Sequence, residues 1–574
     1  MASIRRRLAD WLPTDAATVR LCIVMTVIGC ALLQLWRPFY FLTDDNLSGW
    51  LPAATEFARR LWQGQWPFVA DGVFGGNFNQ LSDPGILSLL SPYTLLFSWL
   101  SLTPWNYALV DAVSICNALT IAGAFSWSAL WLRRHFALDV SRAFIVLLTL
   151  SYTFSPYNLF IGSAWVGFLN PEASLPIILV ACLYPSQTRA IGMMVGALLF
   201  AALGGHAHPF LMLCLFAGIV GAGVAVYERH PRALLRVMAA GAITAVLLLP
   251  IVWQAFFSFS GSGRASGLPL SEMSRLRLEV PLLIATMTVG PLGSWYAQLN
   301  HIGVTEVSRG LIASGFSIMN YVFLMSLGTM IRKRGLQPFT WVIVALLIVA
   351  VLMITRPDWL GSVLVHVPII RSLRWPFREL WVLLFAMHVF LLFESRWLGP
   401  IERPALVVAG AVVCGFLLFL PPPTLGSFAV DRRLLFAGVP QRYWTELQSR
   451  HGKAPGVIVG MDTIRLQPPR GRIPFTLLGT HNFGSLLGFT SAMGYTFIPS
   501  IRRVSADDPE EPFHAGGMFT VPDARRIRDR HPELWLMELE QLHPPIWTLQ
   551  TPRVRERFRY DEAGNTVERL DDRQ

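Results

Sequence analysis

Lysine is nearly missing from this chain. Lys333 and Lys453 are the only two, and charged residues of either sign make up 14% of the 574 residues. A soluble domain usually carries about 25% charged residues. A water-exposed chain of this length would need several domains and far more polar surface to cover them. The scarcity of charge therefore excludes an ordinary cytosolic enzyme. Disorder requires low hydrophobicity, whereas 53% of these residues are apolar. Cysteine is scarce as well. Cys22, Cys30, Cys116, Cys182, Cys214 and Cys414 all fall inside apolar segments, and none has CxxC spacing. Neither a disulfide framework nor a thiolate metal site is indicated, and these cysteines read as small apolar fillers.

What is present is a series of apolar runs of the length a bilayer demands, about 20 residues each. They cover 18–38, 105–132, 140–157, 172–186, 189–204, 207–227, 233–257, 311–330, 338–355, 377–395 and 404–420, which makes eleven expected spans. Residues 280–292 are apolar but short and interrupted by Gly290-Pro291. They read as a re-entrant or interfacial piece. Arg5-Arg6-Arg7 precede an apolar run too long for the core of a signal peptide, so residues 18–38 are expected to remain as the first span.

Loop charges test this count, because basic loops stay on the cytoplasmic side. Arg5–Arg7 put the N-terminus inside. Every second connection is then basic, through Arg133-Arg134, Arg189, Arg229 with Arg232 and Arg236, Arg332-Lys333-Arg334, and Arg396 with Arg403. Residues 1–421 carry a net charge of +9 and residues 422–574 only +2. The basic excess thus belongs to span orientation, and no nucleic-acid partner is inferred. The lipid bilayer is the expected partner.

The expected fold is a polytopic α-helical membrane protein of about eleven transmembrane helices over residues 1–421. It has a large first outside loop, 39–104, and further outside connections that include 158–171 and 356–376. Residues 422–574 form a small extracytoplasmic α/β domain, with the C-terminus outside. In that tail, helices are expected at 440–450 and 522–541, strands at 456–466, 474–480, 546–551 and 554–560, and a hairpin turn at 561–565.

The first outside loop carries the densest set of candidate residues. Asp44-Asp45-Asn46 lie just beyond the first span. Trp50, Ala54, Phe57, Ala58, Leu61 and Trp62 then recur at helical spacing, which predicts an amphipathic interfacial helix. Gln65-Trp66-Pro67-Phe68, Phe74-Gly75-Gly76, Ser82-Asp83-Pro84-Gly85 and a second apolar helix at about 86–100 follow. Adjacent carboxylates at a membrane surface can hold a divalent cation such as Mg or Mn. One can also act as a base on an incoming hydroxyl. Equally, Asp44 and Asp45 can cap the helix at 47–63.

Other polar groups recur at the outer edge. Gly204-Gly205-His206-Ala207-His208-Pro209 joins two spans, and its histidines suit hydrogen bonding in a cavity better than a metal site. Asp111, with Asn117 below it, is a carboxylate at membrane depth, open to a structural or a substrate role. Glu172 opens a span after Asn170-Pro171, where the helix dipole favours an acid. Arg371-Ser-Leu-Arg374-Trp375-Pro376-Phe377-Arg378-Glu379 places basic residues outside, against the topological trend. Arg374 and Arg378, four apart at a helix start, suit a phosphate. Pairing with Glu379 or with lipid headgroups accounts for them equally well.

Four local patterns resemble the YfhO-type bacterial membrane protein family, within the GT-C class of membrane glycosyltransferases. They are the Asp-containing loop through Trp50-Leu-Pro52, Gln65-Trp-Pro and Phe74-Gly75-Gly76; the Gly-Gly-His segment at 204–206; Arg374-Trp-Pro-Phe-Arg378; and Asn482 followed by Gly494-Tyr495. The resemblance implies transfer of a sugar from a polyprenyl-phosphate donor to an extracytoplasmic acceptor, a glycan or lipid of the cell envelope, in a bacterial inner membrane. It implies that Asp44 or Asp45 is the catalytic base or metal ligand, and that Arg374 and Arg378 hold the donor phosphate. His206, His208, Asp83, Asp111, Asn482 and Tyr495 are then substrate-binding candidates. A transporter or lipid-linked glycan flippase also explains many spans. It would favour inverted repeats and midplane sites, and no internal repeat is visible.

Overall fold

The computed structural model describes residues 14–36, 39–42, 46–70, 78–79, 84–103, 105–260, 267–274, 276–288, most of 319–327, 336–367, 370–373, 375–394, 439–452, 457–460, 521–542, 545–561 and 566–570. Among these, seven helices are long and apolar enough to cross a membrane. An eighth is formed if a bent pair counts as one. The expected spans at 404–420 and over most of 311–330 fall outside the described residues.

The membrane helices follow the apolar runs. They are α1 (Asp15–Trp36), α4 (Ala108–His135), α5 (Arg142–Thr153) with α6 (Pro156–Ala164), α7 (Asn170–Leu183), α9 (Ala207–Glu228), α10 (Arg232–Ser260), α12 (Thr340–Thr355) with α13 (Asp358–Leu364), and α14 (Leu380–Glu394); between α7 and α9 in sequence, α8 (Gln187–Ala202) is apolar but shorter than a full span. The first outside loop contributes α2 (Leu51–Trp62), the short antiparallel strands β1 (Val69–Ala70) and β2 (Phe78–Asn79), and α3 (Pro92–Phe97), and Val280–Thr288 is the short α11. Burial separates their roles. Some 94% of the Val166–Leu183 and Pro376–Glu394 segments is buried, against 22% of Arg232–Trp253. The former two are therefore central and the last is peripheral.

Two segments depart from their expected form. Residues 158–171, expected as an outside loop, are mostly helical. Ser155 caps a new helix by accepting from Asn158 N, and Pro156 sits in its first turn, where its fixed φ and missing N–H cost nothing. A single apolar segment, Arg142–Ala164, results. Residues 356–376, also expected as a loop, contain α13, set at 90° to α12. Arg356 makes the corner with a left-handed φ of 37°.

Two sets of polar contacts tie the same end of the bundle, where Phe136 beside the Arg133-Arg134 turn packs on Phe339 and Phe393. Asp15 accepts from Arg134 Nε (3.1 Å) and Arg142 Nε (3.0 Å). This joins the start of α1 to the Arg133-Arg134 turn of α4, so these basic residues share one face of the bundle. The fully buried Glu394 accepts from Gln337 N and Thr340 Oγ1 at 3.1 and 2.6 Å, fixing the end of α14 against the start of α12.

Among the described residues, the tail contains α15 (Val439–His451), α16 (Val521–Arg530) and a five-stranded sheet in the order β3 (Val457–Gly460), β4 (Trp535–Leu542), β5 (Pro545–Gln550), β6 (Arg555–Asp561) and β7 (Thr566–Leu570). Strand β3 runs parallel to β4, and the rest are antiparallel. Residues 522–541 were expected as one helix. Instead the chain leaves α16 after Arg530 and continues as β4, where Trp535, Leu536 and Met537 are buried in the sheet core. Arg525 binds Glu538 through two bonds, of 2.5 and 2.7 Å. That contact draws the Arg525 guanidinium above its ordinary value and holds helix to strand. The expected strand at 474–480 lies outside the described residues.

Candidate functional site

Three segments that are distant in sequence meet at the end of the bundle opposite Asp15: residues 165–168 between α6 and α7, residues 204–208 between α8 and α9, and residues 375–379 before α14. The first two meet backbone to backbone. A Cβ on Gly167 would lie 1.6 Å from Gly204 O, and one on Gly204 would lie 2.4 Å from Gly167 O. Gly205, at φ 79°, turns the chain out of α8, a conformation open to glycine at no steric cost. His206 follows, with its ring 4.4 Å from that of Phe168. Desolvation, and then the nearby Arg378 and His208, push His206 well below its ordinary value.

The third segment enters through Trp375, a bulky residue at φ 64°. Such geometry is strained and persists only where the surroundings impose it. Here the Trp375 indole stacks on Trp165 at 5.9 Å and 25°. The Arg378 guanidinium carbon lies 4.4 Å from the ring centres of Trp165 and Trp375 and 4.9 Å from that of Phe168. Three aromatic faces thus box one cation, an arrangement worth about 0.5–2 kcal/mol per contact as water is excluded. Tyr157 donates to Arg378 O at 2.6 Å. From below, Arg356 Nη1 donates to Leu373 O (3.4 Å) and Met273 O (2.7 Å), which fixes the segment leading into the box.

Among the described residues, the contact of Glu379 is with His208. Its Oε1 meets His208 Nε2 at 2.5 Å, with Glu379 fully buried. His208 and Glu379 therefore brace α9 against the start of α14, while the neighbouring Arg378 sits in the aromatic box.

The first outside loop is fastened to the same place. Asn46, buried, donates through Nδ2 to Phe41 O (2.8 Å) and Gly162 O (2.9 Å), and its Oδ1 accepts from Val166 N (2.8 Å). Val166 sits between Trp165 and Phe168, two walls of the box. Asp111 is hydrogen-bonded at the start of this loop. Its Oδ1 accepts from Gln34 Nε2 (2.8 Å) and Phe41 N (3.0 Å), holding the loop where it leaves α1. Asn117 Nδ2 reaches Val166 O at 3.3 Å. Helix α2 starts from Trp50 without a side-chain cap and carries Pro52 in its first turn.

Among the sequence candidates, the fold therefore brings together His206, His208 and Arg378, and it uses Asp111 to hold the adjoining loop. Asp44, Asp45, Asp83, Arg374, Asn482 and Tyr495 lie outside the described residues. Among the described residues no group of three or more His, Cys, Asp or Glu is arranged to hold a metal. Sequence reasoning missed the 165–168 segment. Its signal was Trp165-Val-Gly-Phe168, two aromatics flanking a glycine between apolar runs.

No protein-family model matches the chain, and no curated protein matches it either. Among solved structures, it is similar to the cryo-EM structure of the arabinofuranosyltransferase AftD from Mycobacteria. The identity is 15% and the TM-score 0.44, over 79% of this chain and 31% of that one. The chain thus spans about a third of that protein's length.

Proposed function

We propose that this chain is a membrane glycosyltransferase of the GT-C kind. It moves a sugar from a polyprenyl-phosphate donor to a glycan or lipid acceptor on the outer face of the membrane. The observation that carries the reading is the boxed Arg378, set near His206 at one end of the bundle, with Asn46 of the acidic loop bonded into the wall of the box. A guanidinium gripped by its faces has its N–H edge set in a fixed plane, the geometry that bidentate phosphate recognition uses.

In this reaction an acceptor hydroxyl attacks the anomeric carbon, the bond from that carbon to the phosphate oxygen breaks, and the hydroxyl proton passes to a carboxylate. Arg378, with Arg374, binds the donor phosphate and stabilises the negative charge that grows on it as it leaves. Asp44 or Asp45, one or two residues before Asn46, is the proposed base. The same pair is the proposed seat of a divalent cation, if one is used. His206 is a hydrogen-bonding partner for the sugar or phosphate.

The test is sugar transfer in membranes carrying Asp44→Asn, Asp45→Asn, both together, Arg378→Ala and Arg378→Lys, at matched protein level and with EDTA in a parallel set. One Asn variant should lose about 10²-fold or more, and Lys should restore Arg378→Ala only in part. Normal transfer by the double Asn variant would remove the base assignment. The 90° break between α12 and α13 favours a second reading, a transporter, because discontinuous helices line transport sites. Transport of a lipid-linked glycan without sugar transfer would identify it.

A further inference from the structure

Arg356 has more hydrogen-bonding capacity than its contacts use. Its side chain is fully buried at the corner between α12 and α13, yet only Nη1 is bonded, to Met273 O and Leu373 O. Among the described residues, Nε and Nη2 have no hydrogen-bond partner. These two atoms form the side-on edge of the guanidinium, the fork that takes an anion through two parallel N–H bonds. A second such group stands beside it. Ser274 follows Met273 in the chain, and its buried Oγ also has no hydrogen-bond partner among the described residues. Gly361 of α13 closes the place from a third side. A Cβ there would lie 2.7 Å from Leu270 Cδ1, 3.6 Å from Ser274 Oγ and 4.0 Å from Arg356 Cγ.

Charge points the same way. An arginine stays protonated in a protein, and a buried charge is costly unless a counter-charge is bonded to it. Among the described residues, the carboxylates near this corner are bonded elsewhere. Asp358 and Glu279 bind Arg277, and Glu379 Oε1 binds His208. Glu379 acts on Arg356 through its field without a hydrogen bond between them. Arg378, its neighbour in the chain, sets a second guanidinium against that one carboxylate.

We propose that the Nε–Nη2 edge of Arg356 and the Ser274 hydroxyl hold a small monovalent anion of chloride's size. The inference goes beyond the glycosyltransferase reading and does not depend on it. Enclosure sets the size. Arg356 is 0% exposed, so the place suits a single halide ion and excludes a phosphate ester or a sugar. The consequence reaches the cation box. Arg356 Nη1 holds Leu373 O, two residues before Trp375. An anion that fixes the plane of the guanidinium therefore steadies the segment that enters the box.

The experiment uses the full chain in detergent. Thermal unfolding is followed as sodium chloride replaces sodium gluconate at constant ionic strength. Binding to the folded state raises the unfolding temperature by mass action, so the wild type should show a rise that saturates with chloride. Ser274→Ala gives up one hydrogen bond and should raise the chloride concentration at half effect about 2- to 10-fold. Ser274→Asp sets a carboxylate beside the fork and should unfold at the same temperature in both salts. A second measurement needs no variant. The wild type should broaden the chloride NMR line, bromide should narrow it again by competition, and inorganic phosphate should not. A wild type indifferent to chloride in both measurements would overturn the proposal and leave a buried water at the fork instead. A chloride effect kept in full by Ser274→Ala and Ser274→Asp would overturn it too, because the anion would then sit elsewhere. Phosphate competing as well as bromide would mark an open oxyanion site and refute the enclosed halide. None of these readings requires sugar transfer, so the glycosyltransferase reading and the anion site fail or stand separately.

Discussion

Replacing Gly167 by alanine probes the contact on which the candidate site is assembled. The new Cβ would lie 1.6 Å from Gly204 O, 2.8 Å from Gly204 C and 3.2 Å from the His206 ring. Ordinary contact begins near 3.4 Å, so the two backbones must part by about 2 Å. The nearest atom is a carbonyl oxygen, which cannot swing aside as the end of a flexible side chain can. Overpacking in a tight interior typically costs 1–3 kcal/mol, and a backbone clash belongs at or above the upper end, about 3 kcal/mol. The displacement also carries Trp165 and Phe168 away from Arg378, so activity should fall further than stability alone explains. The assay is thermal unfolding of detergent-solubilised protein, followed by size-exclusion fluorescence, with sugar transfer measured below the unfolding range. Gly123→Ala is the matched control. With nothing within 4 Å of its Cβ, it should be neutral or stabilising by about 0.5–1 kcal/mol. If Gly167→Ala unfolds at the same temperature as Gly123→Ala and keeps full activity, the close contact between the 165–168 and 204–208 segments is wrong, and the box around Arg378 falls with it.

Three more outcomes follow from the same geometry. Removing either His208 or Glu379 alone leaves a buried polar group without its partner, at about 3–5 kcal/mol; a double-mutant cycle with alanine should therefore give a coupling energy above about 1.5 kcal/mol, whereas additive losses would deny the pair. Asn46→Ala gives up three buried hydrogen bonds and strands Val166 N, so it should lower stability by about 1–3 kcal/mol and raise the proteolytic sensitivity of the first outside loop; an unchanged digestion pattern would refute the anchoring role. A reporter fused after Gln574 should be active only on the outer side if the basic loops orient the spans, and a cytoplasmic signal would sink the eleven-span count.

The elements were legible in the sequence wherever one physical requirement dominated. Apolar runs of about 20 residues gave the spans, and α1, α4, α9 and α10 begin and end within a few residues of the runs. The charge pattern marked Arg133-Arg134 as lying at the same membrane face as the N-terminus, and Asp15 now bridges that turn to α1. Errors fell where local signals compete. Residues 158–171 hold Trp165, Gly167 and Asn170-Pro171, which read as a loop, yet Ser155 and Pro156 start a helix at once. Residues 531–542 follow a strongly helical stretch that Pro532 interrupts, since proline cannot continue a helix interior, and pairing with β3 and β5 makes the residues after it a strand.

For the candidate site, sequence composition selected the right kinds of residue but not their partners. The Gly-Gly-His segment and the Trp-Pro-Phe-Arg segment stand out from their surroundings, because polar groups are costly beside a membrane span. Their meeting depends on contacts across 171 residues between His208 and Glu379, a separation at which sequence spacing carries no information. The choice of Glu379 for His208, the recruitment of Trp165 and Phe168 around Arg378, and the binding of Asn46 to Val166 were each decided by packing. The bundle brings these helix ends to one level, and once polar groups are buried there, each takes the partner its position offers. The sequence alone therefore determined that this chain lives in a membrane and which residues sit at its edges. Only the tertiary structure decided which of them form one site.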